Sequence, residues 1–264
     1  MNTIGSHPPV TVIVPCFNEA PGLPTLLGRL RAMPEFSRAG GWGAVFVDDG
    51  STDETFSALL RAARDESWLH VVRHHENLGL GAALRTGVAH ADSPIICTVG
   101  GDCTLPPERL PELTALIEDG ADIATASPWV PAGQEAPTTR FRHTLGQGLS
   151  HICRSLVGQD VQTFTCLFRA YRRSTLERIR FRANGSSALA EIVLKAMSFG
   201  FVVREVSMRL EPRRFGEPKL RVGDALVAHM HLLGLTAVAV GRRTFLPPIS
   251  KRGVMKDKSG AIPS

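Results

Sequence analysis

Two adjacent carboxylates, Asp48 and Asp49, stand where a predicted strand ends and a helix is expected to begin. The strand is indicated by the β-branched and aromatic run over residues 45–47. Ser51 and Glu54 have the spacing of a capping box, so the next helix should start there. In an open α/β sheet, ligands bind beyond the carboxyl ends of the strands. We interpret both acids as ligand-binding residues, because the predicted Ser51 cap leaves them without a structural duty.

Acids also follow two other predicted strands. Glu19 lies in the loop after the β-branched run 10–14, and Asp102 comes just after the strand predicted over 94–99. A further strand at 69–73, with apolar helical stripes between the strands, gives the order βαβαβαβα, which predicts a parallel sheet. The exits of parallel strands lie on one edge of the sheet. Acids gathered on one edge of a basic protein indicate a site for a nucleotide and a metal ion.

The second half of the chain has a looser pattern. A strand is predicted over 121–126, and the Pro- and Gly-rich stretch 127–139 is interpreted as a functional loop. Further helices are indicated around residues 141–156, 189–197 and 222–233, and extended segments around 163–171 and 201–208. We predict one α/β domain over residues 8–240, with helices on both faces of a mostly parallel sheet and an amphipathic helix at its end. The basic remainder, 241–264, is predicted to be a disordered tail.

Bulk composition narrows the class of protein and its partners only in part. The 264 residues are 43% hydrophobic and carry a formal net charge of +5, which suits an α/β domain with an anionic ligand or an anionic membrane. Five cysteines without a CxxC pair argue against a zinc site or a disulfide framework and favour a reducing cytoplasm. Residues 1–9 lack a signal-peptide pattern and the apolar run 226–241 is too short to span a bilayer, so no transmembrane segment is expected.

Spacing excludes several kinds of chemistry. Gly79 and Gly81 begin a dinucleotide-binding fingerprint, but Leu84 stands where its third glycine belongs. The sequence also has no P-loop, no G-x-S-x-G elbow and no histidine–cysteine spacing typical of a metal site. His74 and His75 are therefore predicted to be surface loop residues.

Positive side chains offer candidate phosphate contacts. Arg85 lies one turn into the helix that follows Gly81, and spacing alone leaves a phosphate contact and an ordinary surface position equally favoured. Arg213, Arg214 and Lys219 form a basic loop that could close over a phosphate or be a solvated charged run.

Asp102 is the candidate metal ligand. Mg²⁺ and Mn²⁺ bind carboxylates together with substrate phosphates, so one firm acid completed by diphosphate oxygens is sufficient. Such an ion would stabilise the charge of a departing diphosphate. Asp102 stands too early in the chain to cap the helix expected at Pro106, which favours the ligand role.

The ordered set of motifs resembles the family 2 inverting glycosyltransferases with the GT-A fold, a Rossmann-like α/β domain. This resemblance rests on the segments Val12–Glu19, Val47–Asp53 and Asn77–Gly87. The later segments are similar to the branch that contains dolichyl-phosphate mannosyltransferase and bacterial polyprenyl-phosphate glycosyltransferases. They are Asp102 with Pro106–Glu108, Phe168–Arg173 and Arg213–Leu220.

The resemblance implies a role for each matched residue. Binding of the nucleotide sugar would fall to Pro15, Asn18, Glu19, Asp48, Asp49, Gly81, Arg85 and Asp102. The metal, Mg²⁺ or Mn²⁺, would be held by Asp102, which would serve catalysis together with Arg213 and Lys219. Contacts to the acceptor or its phosphate would come from Arg140, Arg169, Glu191, Arg213, Arg214 and Lys219. The implied reaction moves a sugar from GDP-mannose or a UDP-hexose to a polyprenyl-phosphate-like lipid, with inversion.

Three positions depart from the family pattern. Gly100 replaces the first acid of the D-x-D motif, which removes a contact to metal or sugar. Thr163 stands where the family commonly has an acid, and Pro218 replaces a serine of the basic loop. The lack of a base at position 163 favours a phosphate acceptor, because its oxygen is already anionic.

Other hypotheses remain open. The acceptor could be soluble or a secondary metabolite, and Gly100 would also suit a non-catalytic binder of nucleotide sugars. A nucleotidyltransferase is less favoured, because its Gly-rich basic loop is absent. A lipid acceptor predicts that the last helix and the basic tail rest on the cytoplasmic face of the cell membrane. No nucleic-acid partner is predicted, and the sequence decides neither the donor nor the oligomeric state.

Overall fold

Seven strands form one sheet in the computed structural model, which describes residues 9–127, 161 and 163–212. They are β1 (Val10–Cys16), β2 (Gly43–Asp48), β3 (Leu69–Arg73), β4 (Ile95–Thr98), β5 (Ile123–Ser127), β6 (Arg169–Arg172) and β7 (Val203–Ser207). Their order across the sheet is β3-β2-β1-β4-β6-β5-β7. Neighbouring strands are parallel except at β6, which is antiparallel to both β4 and β5. The prediction of a mostly parallel sheet is confirmed.

Helices pack on both faces of this sheet. They are α1 (Leu23–Ala32), α2 (Pro34–Ser37), α3 (Thr55–Asp65), α4 (Leu80–Ala89), α5 (Leu110–Glu118), α6 (Arg173–Ile179) and α7 (Ser187–Ser198), with a 3-10 turn at Pro107–Arg109. Alternate residues of β1 serve the two faces: Val12 and Val14 belong to the core under α1, α3 and α5, and Ile13 to the core under α4, α6 and α7. A strand buried on both faces needs an uninterrupted apolar run, which is the pattern from which β1 was predicted.

The strand order places a switch point beside β1. The chain winds from β1 outward to β2 and β3, and then returns to place β4 on the other side of β1. A crevice forms beyond the carboxyl ends of strands at such a point, and it is where open α/β sheets bind ligands. Glu19, Asp48, Asp49 and Asp102 all follow or end strands at this edge, as their positions in the sequence predicted.

The predicted capping box at Ser51 and Glu54 is wrong. Helix α3 begins at Thr55, whose backbone N–H donates to Asp53 Oδ1 at 2.9 Å. The Ser51 hydroxyl instead accepts a hydrogen bond from the backbone of Asn18 at 3.0 Å. The serine therefore joins two loops at the site edge and does not start a helix.

The remaining differences are local. Helices α2 and α6 were not predicted. In the segment predicted to be extended over 163–171, strand β6 begins only at Arg169, and it ends at Arg172, one residue beyond that segment. The predicted helices at 141–156 and 222–233, most of the loop 127–139 and the tail 241–264 lie outside the described residues. Within the part of the chain that the structure describes, no helix is long and apolar enough to cross a membrane.

Replacing Gly81 with alanine should lower the free energy of unfolding by about 2 kcal/mol. The added Cβ would lie 2.0 Å from the backbone oxygen of Ala183 and 2.7 Å from the Cβ of Ala188, so α4 and the segment before α7 would have to separate. Gly28→Ala in α1 is the matched control, because its Cβ would meet nothing within 4 Å. That variant should gain about 0.5–1 kcal/mol. Urea unfolding measures the free energy of unfolding of both variants. A Gly81→Ala protein as stable as Gly28→Ala would contradict the close packing of Gly81 against Ala183 and Ala188.

Candidate functional site

Side-chain hydrogen bonds join the exits of β1 and β2. Asn18 has a left-handed backbone, φ 50°, and its Oδ1 accepts from the backbone N–H of Thr52 at 2.9 Å. The backbone N–H of Glu19 donates to Thr55 Oγ1 at 2.8 Å. Pro15 lies within β1, half-buried and opposite Val47 of β2. The β1 exit, with Pro15 in the strand and Asn18 and Glu19 in the loop after it, is thus held against the β2 exit. The ligand contacts of these three residues remain predictions.

Asp48 is a buried carboxylate with one oxygen that lacks a hydrogen bond. The residue is 0% exposed, and its Oδ1 accepts from the backbone of Ser51 at 3.3 Å. Oδ2 has no hydrogen-bond donor among the described residues, although Arg73 Nε lies 3.1 Å away in an ion pair. The Arg73 side chain is 47% exposed and stacks over the Phe56 ring at 4.3 Å. A buried acceptor without a donor is costly, so this oxygen is suited to receive an N–H group of a ligand.

Asp49 differs from Asp48 because both of its carboxylate oxygens already accept hydrogen bonds. Oδ1 accepts from His74 Nδ1 at 2.7 Å and from the backbone of Leu78 at 3.0 Å, and Oδ2 accepts from Gly79 at 2.8 Å. The expectation that Asp49 has no structural duty is therefore wrong, since it fixes the turn before α4. Its predicted contact with the nucleoside stays a prediction.

His74 does not lie free on the surface as predicted. Its side chain is 9% exposed and bridges Asp49 to Thr86 of α4, with Nε2 2.8 Å from Thr86 Oγ1. His75, by contrast, is exposed as predicted. The position of His74 at the end of β3, on the same edge as the acids, was the signal that could have identified it.

Gly81 and Arg85 of α4 donate hydrogen bonds to residues 183–184, in the segment before α7. The backbone of Gly81 donates to the carbonyl of Asn184 at 2.5 Å. Arg85 donates to the carbonyl of Ala183 at 2.8 Å and to the side chain of Asn184. Arg85 is therefore neither a free surface residue nor directed only at a phosphate, and the donor contacts predicted for both residues remain predictions.

Glu191 holds the same segment from the other side. Its carboxylate accepts from the backbone of Arg182 at 3.1 Å and of Ala183 at 2.8 Å, and pairs with Lys195 at 2.6 Å. Burial acts to raise the pKa of Glu191, but the Lys195 ammonium and the two backbone donors outweigh it and lower the pKa. The acceptor contact predicted for Glu191 remains a prediction. In the structure, the Glu191 carboxylate holds the backbone of residues 182–183 through hydrogen bonds.

Glu191→Gln should reduce the free energy of unfolding by about 1–2 kcal/mol at pH 7. Because the folded pKa is lowered, this contribution is present above the ordinary glutamate pKa of 4.5 and is lost as the pH falls through the folded value. The difference from wild type should therefore shrink in acid. Unfolding curves from pH 7 downward test this, with Glu177→Gln as the control because its pair with Arg173 is exposed. A gap that stays constant down to acid pH would contradict the assignment.

Arg169 is fully buried, at 0% exposure. Its guanidinium donates to Thr125 Oγ1 at 3.1 Å and to the carbonyls of Leu189 and Phe164 at 2.7 Å each. These bonds join β5, α7 and the segment before β6. The acceptor contact predicted for Arg169 therefore remains a prediction, while its hydrogen bonds hold the wall of the crevice next to Thr163.

Asp102 lies in the turn after β4 and lines a cavity of about 390 Å³. Its Oδ1 accepts from the backbone and the hydroxyl of Thr104, at 3.2 and 3.0 Å. A Cβ on Gly100 would lie 3.1 Å from this oxygen, and a Cβ on Gly101 would lie 3.1 Å from Cγ of Glu19. The absence of a side chain at Gly100 thus leaves room for the Asp102 carboxylate, and its absence at Gly101 leaves room for the Glu19 side chain.

Arg29 and Glu211 also line this cavity and belong to an ion-pair network with Glu108. Arg29 binds Glu108 through two bonds of 2.7 Å and Glu211 at 3.1 Å. The Glu108 hydrogen bond is the largest influence that raises the pKa of Arg29, and Arg29 in turn lowers the pKa of Glu108 although burial opposes that shift. Burial also raises the pKa of the Cys103 thiol to about 11. The lining of the cavity therefore includes the ion-paired, charged guanidinium of Arg29 and the Cys103 thiol, which is protonated at neutral pH.

The described residues contain no group of three or more histidine, cysteine, aspartate or glutamate side chains that could enclose a metal. A resident ion would rest on Asp102 and on oxygens of the substrate, which is how Mg²⁺ is commonly bound. Four predicted residues, Arg140, Arg213, Arg214 and Lys219, lie outside the described ranges. The roles assigned to them remain predictions.

Comparison with known proteins agrees with this architecture. A family model described as "Glycosyl transferase family 2" matches residues 11–180. The chain is 27% identical over 211 residues to undecaprenyl-phosphate 4-deoxy-4-formamido-L-arabinose transferase of Salmonella paratyphi A. It is 29% identical over 211 residues to the protein of the same name from Enterobacter sp. strain 638. Each match covers 80% of this chain and 62% of the relative, so the chain spans less than two thirds of the length of these relatives.

Solved structures share the fold. Glucosyl-3-phosphoglycerate synthase from Mycobacterium tuberculosis in complex with UDP has a TM-score of 0.66 and 15% identity, covering 88% of this chain and 80% of that chain. The same enzyme with Mn²⁺, UDP and glucosyl-3-phosphoglycerate has a TM-score of 0.66 and 16% identity, with the same coverage. The likeness confirms the predicted single α/β domain.

Proposed function

The chain belongs to glycosyl transferase family 2, and from that premise we propose that it is an inverting transferase acting on a nucleotide-diphosphate sugar and a polyprenyl-phosphate-like lipid. Membership confirms the resemblance found in the motifs. The donor, the acceptor and the metal ion go beyond what family membership states.

Donor binding rests on Asp48. Its buried Oδ2 has no hydrogen-bond donor among the described residues beyond the ion pair with Arg73, and it lies at the edge of the sheet where ligands of α/β proteins bind. In their nucleotides, uracil and guanine each present a ring N–H that could donate to this oxygen, whereas adenine and cytosine would have to donate through an exocyclic amino group. The buried acceptor at Oδ2 is the single observation that carries the donor proposal, and we take a ring N–H as its partner, which favours a UDP- or GDP-linked donor.

The acceptor is proposed from its chemistry. Thr163, where the family commonly has an acid, donates its hydroxyl to Ser127 at 2.9 Å and cannot remove a proton at neutral pH. A phosphate acceptor needs no base, because its oxygen is anionic when it attacks the anomeric carbon. The new bond forms on the face opposite the diphosphate, and the electron pair of the breaking bond leaves with the diphosphate. The names of the relatives, which include undecaprenyl phosphate, support this acceptor class.

A divalent cation, Mg²⁺ or Mn²⁺, fits a site with one protein carboxylate. Asp102 would hold it, because this residue is half-buried on the cavity wall and a hard cation prefers oxygen ligands. When bound, the cation would supply positive charge against the departing diphosphate.

Incubation with candidate donors and acceptors tests the proposal. GDP-mannose, UDP-glucose, UDP-N-acetylglucosamine and a nucleotide-linked 4-deoxy-4-formamido-L-arabinose would each be supplied with polyprenyl phosphate, with Mn²⁺ or with EDTA. A lipid-linked sugar formed only with metal is the expected product. Transfer to 3-phosphoglycerate in place of the lipid would support a soluble phosphate acceptor, and absence of any transfer from every donor would overturn the proposal.

Flotation with anionic liposomes tests the membrane part separately. The proposed site on the cytoplasmic face of the membrane predicts that the protein floats with vesicles containing anionic lipid and polyprenyl phosphate. Protein that stays at the bottom of the gradient at low salt would contradict peripheral binding without touching the assignment of the donor.

A further inference from the structure

His74 connects three elements at the edge of the proposed nucleotide site. Its backbone N–H donates to the carbonyl of Asp48 at 2.8 Å, which ties the end of β3 to the end of β2. Its ring contacts Asp49 Oδ1 through Nδ1 at 2.7 Å and Thr86 Oγ1 of α4 through Nε2 at 2.8 Å. One residue therefore holds the Asp49 carboxylate, the backbone of Asp48 and the helix that follows.

The Asp49 carboxylate determines one hydrogen position on the ring. An ionised carboxylate only accepts hydrogen bonds, so Nδ1 must carry the hydrogen that reaches Asp49. A neutral ring then has a lone pair at Nε2, which accepts the hydrogen of the Thr86 hydroxyl. Both polar ends of the ring are thus satisfied inside the protein. The side chain is 9% exposed, so loss of either partner would leave a polar group largely shielded from water.

The network controls the shape of the turn before α4. Asp49 accepts from the backbone of both Leu78 and Gly79, and Gly79 has φ +95°, a conformation that side-chain-bearing residues rarely adopt. The Asp49 carboxylate must keep one orientation to reach both N–H groups, and the His74 bond to Oδ1 holds it there. Asp48, whose Oδ2 is the proposed acceptor for the base, is the chain neighbour of Asp49, and its carbonyl accepts from the backbone N–H of His74.

We propose that His74 is a positioning residue for nucleotide binding, which acts by holding Asp49 and the β2 exit and not by touching the substrate. The inference rests on the proposed function, because it assigns the neighbouring Asp48 to the donor. It adds a residue that the family motifs do not single out and gives Thr86 the role of its second anchor.

Measurements on the full chain separate positioning from simple support of the fold. His74→Ala should raise the dissociation constant for the nucleoside diphosphate, and the KM for the donor, by about 3- to 10-fold, with kcat changed by less than about 2-fold. His74→Asn should recover most of the affinity, because its side-chain NH₂ can donate to Asp49 as Nδ1 does. Thr86→Val should give a smaller loss of affinity. His75→Ala is the matched control and should leave affinity unchanged, since that neighbouring histidine is exposed.

Nitrogen NMR of the histidine rings gives a second reading that does not depend on turnover. His74 in the wild type should show a protonated Nδ1 and an unprotonated Nε2, and the signature should change in Thr86→Val. A folded His74→Ala protein with wild-type affinity would overturn the inference, as would a His74 ring with the opposite tautomer. A wild-type protein that binds no nucleoside diphosphate would instead overturn the proposed function, and the inference with it.

Discussion

Asp102→Asn should slow sugar transfer by about 100- to 1000-fold, the range expected when charge stabilisation at a departing group is removed. Asparagine keeps the size of the side chain, and its amide oxygen can still accept the two Thr104 hydrogen bonds now made by Oδ1. The turn after β4 should therefore keep its shape, and the loss should come from the missing negative charge. Single-turnover rates with saturating donor and acceptor measure the effect.

Metal titration identifies its cause. If Asp102 holds the cation, the Mn²⁺ concentration for half-maximal rate should rise by at least about 10-fold in the variant, because a hard cation loses the carboxylate ligand that Asp102 provides. Nucleotide affinity measured without metal should change by less than about 3-fold. Asp65→Asn, at the exposed end of α3, is the matched control and should behave as wild type. Unchanged transfer in Asp102→Asn would mean that the catalytic edge has been assigned to the wrong acid.

The sheet could be predicted because its strands carry their own signal. Strands inside the sheet need largely apolar runs, which the segments 10–14 and 45–47 have, whereas the edge strand at 69–73 includes His70 and Arg73 among its apolar residues. Their parallel direction follows from the helices between them, and the common edge for Glu19, Asp48 and Asp102 follows from that direction. Spacing along one chain was sufficient for these statements, because each depends on local pattern and on a general rule of connection.

The division of work between Asp48 and Asp49 could not be predicted in the same way. The two residues are chemically identical, and the sequence does not state which backbone N–H groups lie near each. The structure gives Asp49 three donors from the segment 74–79, whereas Asp48 Oδ2 has only its ion pair with Arg73 among the described residues. Those donors come from 25 to 30 positions further along the chain, so the assignment needs the tertiary fold.

The same limit explains the residues whose surroundings were not foreseen. Arg85 and Glu191 were matched to the family one at a time, but the structure brings both onto the segment 182–184 between them. Ser51 has the residue type and the spacing of a helix N-cap, but its hydroxyl accepts a hydrogen bond from the backbone N–H of Asn18 instead. In each case a long-range partner competes with the local one, and a local pattern cannot rank the two.

Asp48→Asn should weaken binding of the donor nucleotide by about 10- to 100-fold, the cost of one hydrogen bond between a charged acceptor and a buried donor together with its desolvation. Oδ1 keeps its bond to the backbone of Ser51 if the amide oxygen takes its place, and the NH₂ group then stands at the position of Oδ2, where it would oppose an N–H of the base. Isothermal titration with UDP and GDP measures the change. Asp53→Asn is the comparison, because Asp53 lies in the same loop but accepts from the backbone of Thr55 and Ala20.

A methylated base provides the decisive control for this assignment. If the ring N–H of the base donates to Asp48 Oδ2, the wild type should bind N3-methyl-UDP or N1-methyl-GDP about 10- to 100-fold more weakly than the parent nucleotide, since the methyl group removes the hydrogen. In Asp48→Asn the same methyl group should cost less than about 3-fold, because the interaction is already lost. A variant that discriminates against the methylated nucleotide as strongly as wild type would show that another residue reads the base, and Asp48 would then be a structural acid of the β2 exit.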